Sequence, residues 1–324
     1  MPSIKAFFAK LYAARTYKKI HKWSSNPLET QNRVFQSLIS EAAATSFGVD
    51  HDFISINSHE DFVKRVPVRN YEALKPYVDK VVAGEANVLW KGKPLYFAKT
   101  SGTTSGAKYI PITKESMPSH VEAAKNAILL YIHQTGNTQI VDRKMIFLQG
   151  SPVLEDKNGV QLGRLSGIVA HYVPKYLQKN RLPSWETNCI EDWETKVNKI
   201  VQETIHEDMS IIAGIPSWVQ MYFEKLVDQK DQKVGDIFKN LNLFIFGGVN
   251  YEPYRSKFET LIGRKVDSIE LYPASEGFFA FQDLQNETGM LLQLDSGMFY
   301  EFISADTFFD ASHQRLTLKD VKIG

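Results

Sequence analysis

The sequence predicts an α/β fold: a mixed, largely parallel sheet flanked by helices, with an added β meander from about residue 278. Three observations predict it. From Met145 onward, apolar runs of four or five residues alternate with longer stretches whose apolar residues recur every three or four positions, as strands and helices do in turn. Prolines head two of the helical stretches, Pro216 and Pro253, where the missing N–H costs nothing. Beyond Gly277 the rhythm changes to closely spaced apolar runs split by turn residues.

Taken in order, residues 3 to about 46 read as helical, with a second periodic stretch from Leu28 through Val34, Leu38 and Ile39 that ends near Gly48. Asp50 to Glu85 reads as short helices and turns, so 1–70 is mainly helical and 71–324 forms the α/β core. Val88-Leu89-Trp90, Leu95-Tyr96-Phe97 and Ile110-Pro111-Ile112 read as strands. Ser119 to His133 reads as a helix, with Ser119 and Glu122 spaced as a capping box and Val121, Ala124, Ile128 and Tyr131 on its apolar face. Met145 to Leu148 predicts a buried strand, Trp193, Val197, Ile200 and Val201 a helix, and Met209 to Ala213 a strand. The helix opened by Pro216 carries Val219, Tyr222, Phe223 and Leu226. Leu243 to Phe246 is a strand broken at Gly247-Gly248, and the helix opened by Pro253 holds Phe258 and Leu261 and closes at Gly263. Val266 to Leu271 is again a strand, and Phe278–Phe281, Met290–Leu294 and Phe299–Ile303 supply the meander.

Composition bounds the function. With 324 residues, 43% hydrophobic and 12% aromatic, the chain buries a sizeable core in one large domain or two ordinary ones. A net charge of +1 and the lack of a nucleic-acid-reading motif argue against nucleic acid as a partner. Cys189 is the only cysteine, which excludes an internal disulfide, suits a reducing cytoplasmic compartment, and reads as a small filler residue. The eight histidines show no His-x-x-x-His spacing and no Gly-x-Ser-x-Gly elbow is present, Ser166 being out of register with Gly163 and Gly167; metal-dependent and serine hydrolysis are poorly supported. Residues 1–28 hold no acid and six Lys or Arg among Phe7, Phe8, Leu11 and Tyr12. They read as a basic amphipathic helix packed on the fold with solvated lysines; lying on an anionic membrane, or serving as a transit peptide, are the alternatives. No apolar run approaches the roughly 20 residues that cross a bilayer, and no secretory signal is present.

The run Ser101-Gly102-Thr103-Thr104-Ser105-Gly106, with Lys99 before it and Lys108 after, has the composition of a loop that wraps phosphate: glycines let the backbone approach, and hydroxyls and N–H groups donate to an anion. It is not a Walker A sequence, because Ala107-Lys108 follows Gly106. Two later segments lie at the carboxyl ends of predicted strands, where open α/β sheets bind ligands. These are Phe246-Gly247-Gly248-Val249-Asn250, whose glycines suit either a flat ring against the backbone or a plain strand-to-helix turn, and Glu270-Leu271-Tyr272-Pro273-Ala274-Ser275-Glu276-Gly277. Taken alone, Glu276 reads as a solvated turn residue or as a carboxylate suited to hold Mg²⁺ against a polyphosphate.

The order of these three segments, with Tyr272-x-Ala-Ser-Glu-Gly277 in the third, resembles the adenylate-forming superfamily and within it the Gretchen-Hagen-type acyl acid amido synthetases, the auxin-responsive promoter family. Thr45-Ser-Phe-Gly48 with His51, Asp61-Phe62 with Val66-Pro67-Val68 and Tyr71, and Phe299-Tyr300-Glu301-Phe302 are similar to that family at matching places. The resemblance implies the large N-terminal domain of an adenylating enzyme. It implies ATP and Mg²⁺ as cofactors, a small carboxylic acid activated as its acyl-adenylate, and an amino acid that captures it as an amide. It further implies that Ser101 to Gly106 grip the phosphates with Lys108 assisting, that Gly247, Gly248, Val249 and Tyr272, with Ala274 and Ser275, frame the nucleotide, and that Glu276 binds Mg²⁺. Ile168, Val169, Ile215 and Phe279 are nominated for the acyl group. The family's later Tyr-Arg-x-Gly-Asp motif and its carboxyl-terminal lid do not occur before Gly324, so 1–324 is expected to be an incomplete N-terminal adenylation domain with little turnover alone. An acyl-coenzyme A ligase and a non-catalytic nucleotide- or acyl-acid-binding protein are the alternatives.

Overall fold

The computed structural model describes residues 3–101, 107–173, 178–285, 287–310 and 312–322. The chain divides into two compact units: residues 1–18, 120–155 and 162–292 form one, and residues 19–119, 156–161 and 293–324 the other. In chain order the strands are β1 (Tyr96–Ser101), β2 (Ala107–Ile112), β3 (Lys144–Leu148), β4 (Glu155–Lys157), β5 (Val160–Gly163), β6 (Arg181–Leu182), β7 (Met209–Gly214), β8 (Leu243–Gly247), β9 (Asp267–Ala274), β10 (Gly277–Phe281) and β11 (Leu291–Leu292).

The first unit is built on a sheet ordered β11-β10-β9-β8-β7-β3-β6. From β9 to β6 every pair is parallel, while β9-β10 and β10-β11 are antiparallel, which is the predicted largely parallel sheet with its meander. Parallel strands need crossovers, and the helices Trp193–Thr204, Pro216–Lys230 and Glu252–Ile262 supply them. Their apolar stripes, with Val197, Ile200, Val219, Tyr222, Phe223, Leu226 and Phe258 fully buried, join Ile146, Leu148, Ile212, Phe244 and Phe246 in one core. Each such side chain contributes about 1.5–3 kcal/mol relative to leaving it in water.

The second unit carries the sheet β2-β1-β5-β4 and a separate helical core. Helix Pro27–Ala42 buries Val34, Phe35, Ile39 and Ala42, and Phe35, Ile39 and Ala42 cluster with Phe53, Ile56 and Val66. The short helices follow as predicted between residues 46 and 82, Ser58 and Asp61 forming the capping box of helix His59–Arg65.

Three expectations are corrected. Val88-Leu89-Trp90 is not a strand: Asn87 exchanges backbone and side-chain hydrogen bonds with Gly92, and the Val88 carbonyl accepts from Phe47 N, so a turn and a helix start take the groups a ladder would need. Phe299–Ile303 is likewise not a strand. Only Phe302 pairs, in a bridge to Leu316, while the Tyr300 N–H donates to the Gln31 side chain. The helix predicted from Ser119 runs Met117–Thr135 and starts from a reciprocal Thr113–Ser116 pair, Ser119 Oγ donating back to the Ser116 carbonyl. Its buried face is His120, Ala123, Ala127, Leu130 and Tyr131; Val121, Ala124 and Ile128 are only half-buried.

Candidate functional site

The carboxyl edge of the seven-stranded sheet gathers the candidates of the first unit. Gly247 ends β8 opposite Leu271 of β9, and a Cβ there would stand 2.4 Å from the Leu271 carbonyl oxygen, so any side chain would push the two strands apart. Gly248 follows at φ +83°, a conformation that favours glycine, with open space where a side chain would be. Val249 is exposed beside it. On β9, Tyr272 is 53% exposed and its ring lies 5.3 Å from that of Phe279 on β10, presenting an aromatic surface at this edge. Ala274 pairs with Gly277, so Ser275 and Glu276 are the two-residue turn of the β9–β10 hairpin, and Glu276 is exposed at its tip. Gly247, Gly248, Tyr272, Ala274, Ser275, Glu276 and Phe279 therefore come together as a glycine turn, an aromatic pair and a carboxylate. Among the described residues no group of three or more His, Cys, Asp or Glu could hold a metal. A Mg²⁺ held by one carboxylate together with phosphate oxygens fits that arrangement, because this ion typically keeps few protein ligands.

Along the same edge, β7 ends at Gly214 beside Leu148, the last residue of β3, and Ile215 follows with 38% exposure. Helix Leu165–Ala170 holds the other acyl candidates: Val169 is half-buried, whereas Ile168 is fully buried and presents no surface. Two residues before Tyr272, burial raises the Glu270 pKa and the nearby Glu252 adds to it. Glu252 itself is held by Arg255, whose guanidinium lies 4.9 Å from the Tyr251 ring; burial raises that phenol to about 12.

A polar cluster at this edge escaped the sequence reading. The chain places β6 on one side of β3 and β7 on the other, so the sheet reverses its order at β3, the position where α/β sheets open a crevice. Gln149 directly follows β3, is 3% exposed, and neither polar atom of its side-chain amide has a hydrogen-bond partner among the described residues. Lys196 Nζ donates to the Gln149 carbonyl (3.1 Å) and the Asn188 carbonyl (2.6 Å), and burial lowers its pKa. The Asn188 side-chain oxygen is also buried without a partner. The available signal was a polar Gln149-Gly150 pair placed directly after an apolar strand run.

In the second unit, Ser101 ends β1 and pairs with Ala107 of β2, and Thr100 pairs with Lys108. The candidates Gly102, Thr103, Thr104, Ser105 and Gly106 lie outside the described residues. Lys108 Nζ sits 5.3 Å from the Tyr71 ring, and the Tyr71 hydroxyl accepts from Tyr109 N at 2.9 Å, which ties β2 to helix Tyr71–Val82. The other motif residues are scaffold. Thr45 Oγ1 accepts from Gly48 N, and a Cβ on Gly48 would stand 2.1 Å from the Ala42 carbonyl. His51 Nδ1 donates to the Phe47 carbonyl while Nε2 accepts from Arg69. Glu301 takes two bonds from Arg315 (3.0 and 2.6 Å) and one from His59 (2.6 Å), and Arg315 also lies over the Phe62 ring.

Residues 16–189 match the family model described as the GH3 family N-terminal domain. Indole-3-acetic acid-amido synthetase GH3.15 of Arabidopsis thaliana is 28% identical over 143 residues, 43% of this chain and 23% of that protein. Jasmonoyl–L-amino acid synthetase JAR4 of Nicotiana attenuata is 24% identical over 136 residues, 41% of this chain and 23% of that protein. The solved AtGH3.15 acyl acid amido synthetase in complex with 2,4-DB has a similar fold, with a TM-score of 0.77 at 15% identity over 96% of this chain and 63% of that one. A 2-hydroxyisobutyryl-CoA ligase in complex with 2-HIB-AMP and CoA follows with a TM-score of 0.55 at 14% identity over 83% and 54%. These chains share the N-terminal fold of adenylate-forming enzymes, and the fold match spans under two thirds of each.

Proposed function

This chain belongs to the GH3 family, and from that premise we propose that it forms an acyl-adenylate from ATP and a small carboxylic acid and passes the acyl group to an amino acid. The observation that carries the reading is the Ser275-Glu276 hairpin tip beside the Gly247-Gly248 turn and the exposed Tyr272 ring, all on the carboxyl edge of one sheet. A carboxylate oxygen attacks the α-phosphorus, the bond to the bridging oxygen of the β-phosphate breaks, and pyrophosphate leaves. The amine nitrogen then attacks the acyl carbon, AMP departs, and the nitrogen loses a proton. Two anions must first be held together, so residues that orient them and screen charge carry the first step.

In this reading Tyr272 and the bare backbone of Gly247 and Gly248 receive the adenine, with Val249, Ala274 and Ser275 at its margin. Ser101 to Gly106 receive the phosphates, assisted by Lys108. Glu276 would hold Mg²⁺, which supplies charge neutralisation to the phosphates when bound. Val169, Ile215 and Phe279 offer apolar surface to the acyl group, whereas Ile168 is fully buried and offers none. The chain spans 63% of the length of the solved relative it resembles. Family membership favours an amine over coenzyme A as acceptor.

The test is ATP–pyrophosphate exchange over a panel of carboxylic acids, with Glu276→Gln alongside. Acid-dependent exchange that falls about 10²- to 10³-fold in the variant is the expected result. Exchange without acid, or thioester formed in preference to amide when coenzyme A and amino acids are offered separately, would overturn the reading.

A further inference from the structure

The helix Ile4–Ser24 has two opposed apolar faces, and only one is used by the fold. Ala6, Ala13 and Ile20, spaced by seven, are buried. Ser3 Oγ donates to Asp142 at 2.6 Å and the Tyr17 ring stacks on His133 at 4.3 Å, which further moor this helix. On the other side Ile4, Phe7, Phe8, Leu11 and Tyr12 recur at i, i+3, i+4, i+7 and i+8, so they form one stripe. They are 79%, 59%, 52%, 52% and 61% exposed. Single exposed apolar residues are ordinary, whereas five contiguous ones, three of them aromatic, mark a contact surface.

The same stripe continues into exposed Arg15, Lys18 and Lys22, and exposed Lys5 and Lys10 flank the apolar half. No carboxylate occurs in residues 1–28, although the whole chain is nearly neutral at +1. The outward face thus runs apolar for three turns and cationic for two, over a helix of 21 residues, about 31 Å long. An anionic bilayer surface complements both halves at once: aromatic and aliphatic side chains enter the acyl boundary while lysines reach back to phosphates. Among the described residues no helix is long and apolar enough to cross a membrane, so this helix would lie along the surface.

We propose that the outward face of helix Ile4–Ser24 docks this protein on anionic phospholipid membranes. The full 324-residue chain is sedimented with vesicles of phosphatidylcholine mixed with phosphatidylglycerol, with vesicles of phosphatidylcholine alone, and with the mixed vesicles at high salt. Two variants accompany it: Phe7→Ser/Phe8→Ser/Leu11→Ser, which removes the apolar half, and Lys5→Gln/Lys10→Gln/Lys18→Gln, which removes charge. Both change solvent-facing residues, and their melting temperatures confirm folding. Binding to the mixed vesicles only, weakened by salt and lowered at least about tenfold by either variant, is the expected result. Equal partition of wild type and variants, or no binding to anionic vesicles, overturns the proposal. So does a concentration-dependent dimer that the Phe7/Phe8/Leu11 variant abolishes without any vesicle binding, which would assign the face to a second copy.

Discussion

At Glu270 burial and a neighbouring carboxylate act in the same direction, and both disfavour the charged form. The folded chain therefore holds this proton more tightly than the unfolded one. Stability contributed by the protonated form is complete below the ordinary value of 4.5 and is lost as pH rises through the raised folded value. Glu270→Gln removes that loss. Thermal unfolding across pH should show a higher melting temperature than wild type at neutral pH and no gain below about pH 4, where both states carry the proton; a gain independent of pH would contradict it. Glu276 was a candidate in the sequence because the polar Ser275-Glu276 pair follows an apolar strand run. The trio Gln149, Asn188 and Lys196 was not. Its bonds join residues 47 and 8 apart in sequence, and Lys196 lies on a helix most of whose other polar residues are exposed, so nothing local distinguishes it.

Among elements, the strands and helices of the first unit were readable because each buries a stripe against a single sheet, and burial leaves its period in the sequence. Phe299–Ile303 was misread as a strand for the opposite reason. It is largely apolar, yet the backbone at its start and just before it is held by a side chain: Gln31 Nε2 donates to the carbonyls of Leu294 (2.8 Å) and Met298 (2.9 Å), and Gln31 Oε1 accepts from Tyr300 N (2.9 Å). One buried amide thus replaces a ladder, and no periodicity records it. Gln31→Leu keeps the volume and strands three backbone groups. The expected cost is at least about 3 kcal/mol, the low end of roughly 1–3 kcal/mol for each of three unpaired groups, because two of the three bonds are only partly buried. Urea denaturation measures the total, and hydrogen exchange at the Tyr300 amide should accelerate before that of the strands. Unchanged exchange there would mean that Phe302 and Leu316, which exchange two backbone bonds, hold the segment without Gln31.

For the whole molecule, the order of motifs along the chain carried more than any one motif did. The glycine- and hydroxyl-rich run, the Gly-Gly turn and the Tyr-x-Ala-Ser-Glu-Gly hairpin are each weak alone, but their sequence fits one family, and the family model spans residues 16–189. What remained illegible is which apolar residues offer surface to a ligand, because packing decides it: Ile168 and Ile215 are the same residue type, one wholly buried and the other 38% exposed. Ligand linkage offers a reading of the site that does not depend on turnover. A ligand bound only by the folded state adds RT ln(1 + [L]/Kd), about 2.7 kcal/mol at a hundredfold excess over Kd. ATP with Mg²⁺ should therefore raise the melting temperature by a few degrees, and ATP with a chelator by less. In Glu276→Gln the increment due to Mg²⁺ should vanish while the increment due to ATP persists, because the variant removes the proposed cation ligand and leaves the Gly247-Gly248 turn and Tyr272 untouched. If the Mg²⁺ increment survives the substitution, Glu276 does not hold the ion, and the hairpin tip has no part in seating the triphosphate.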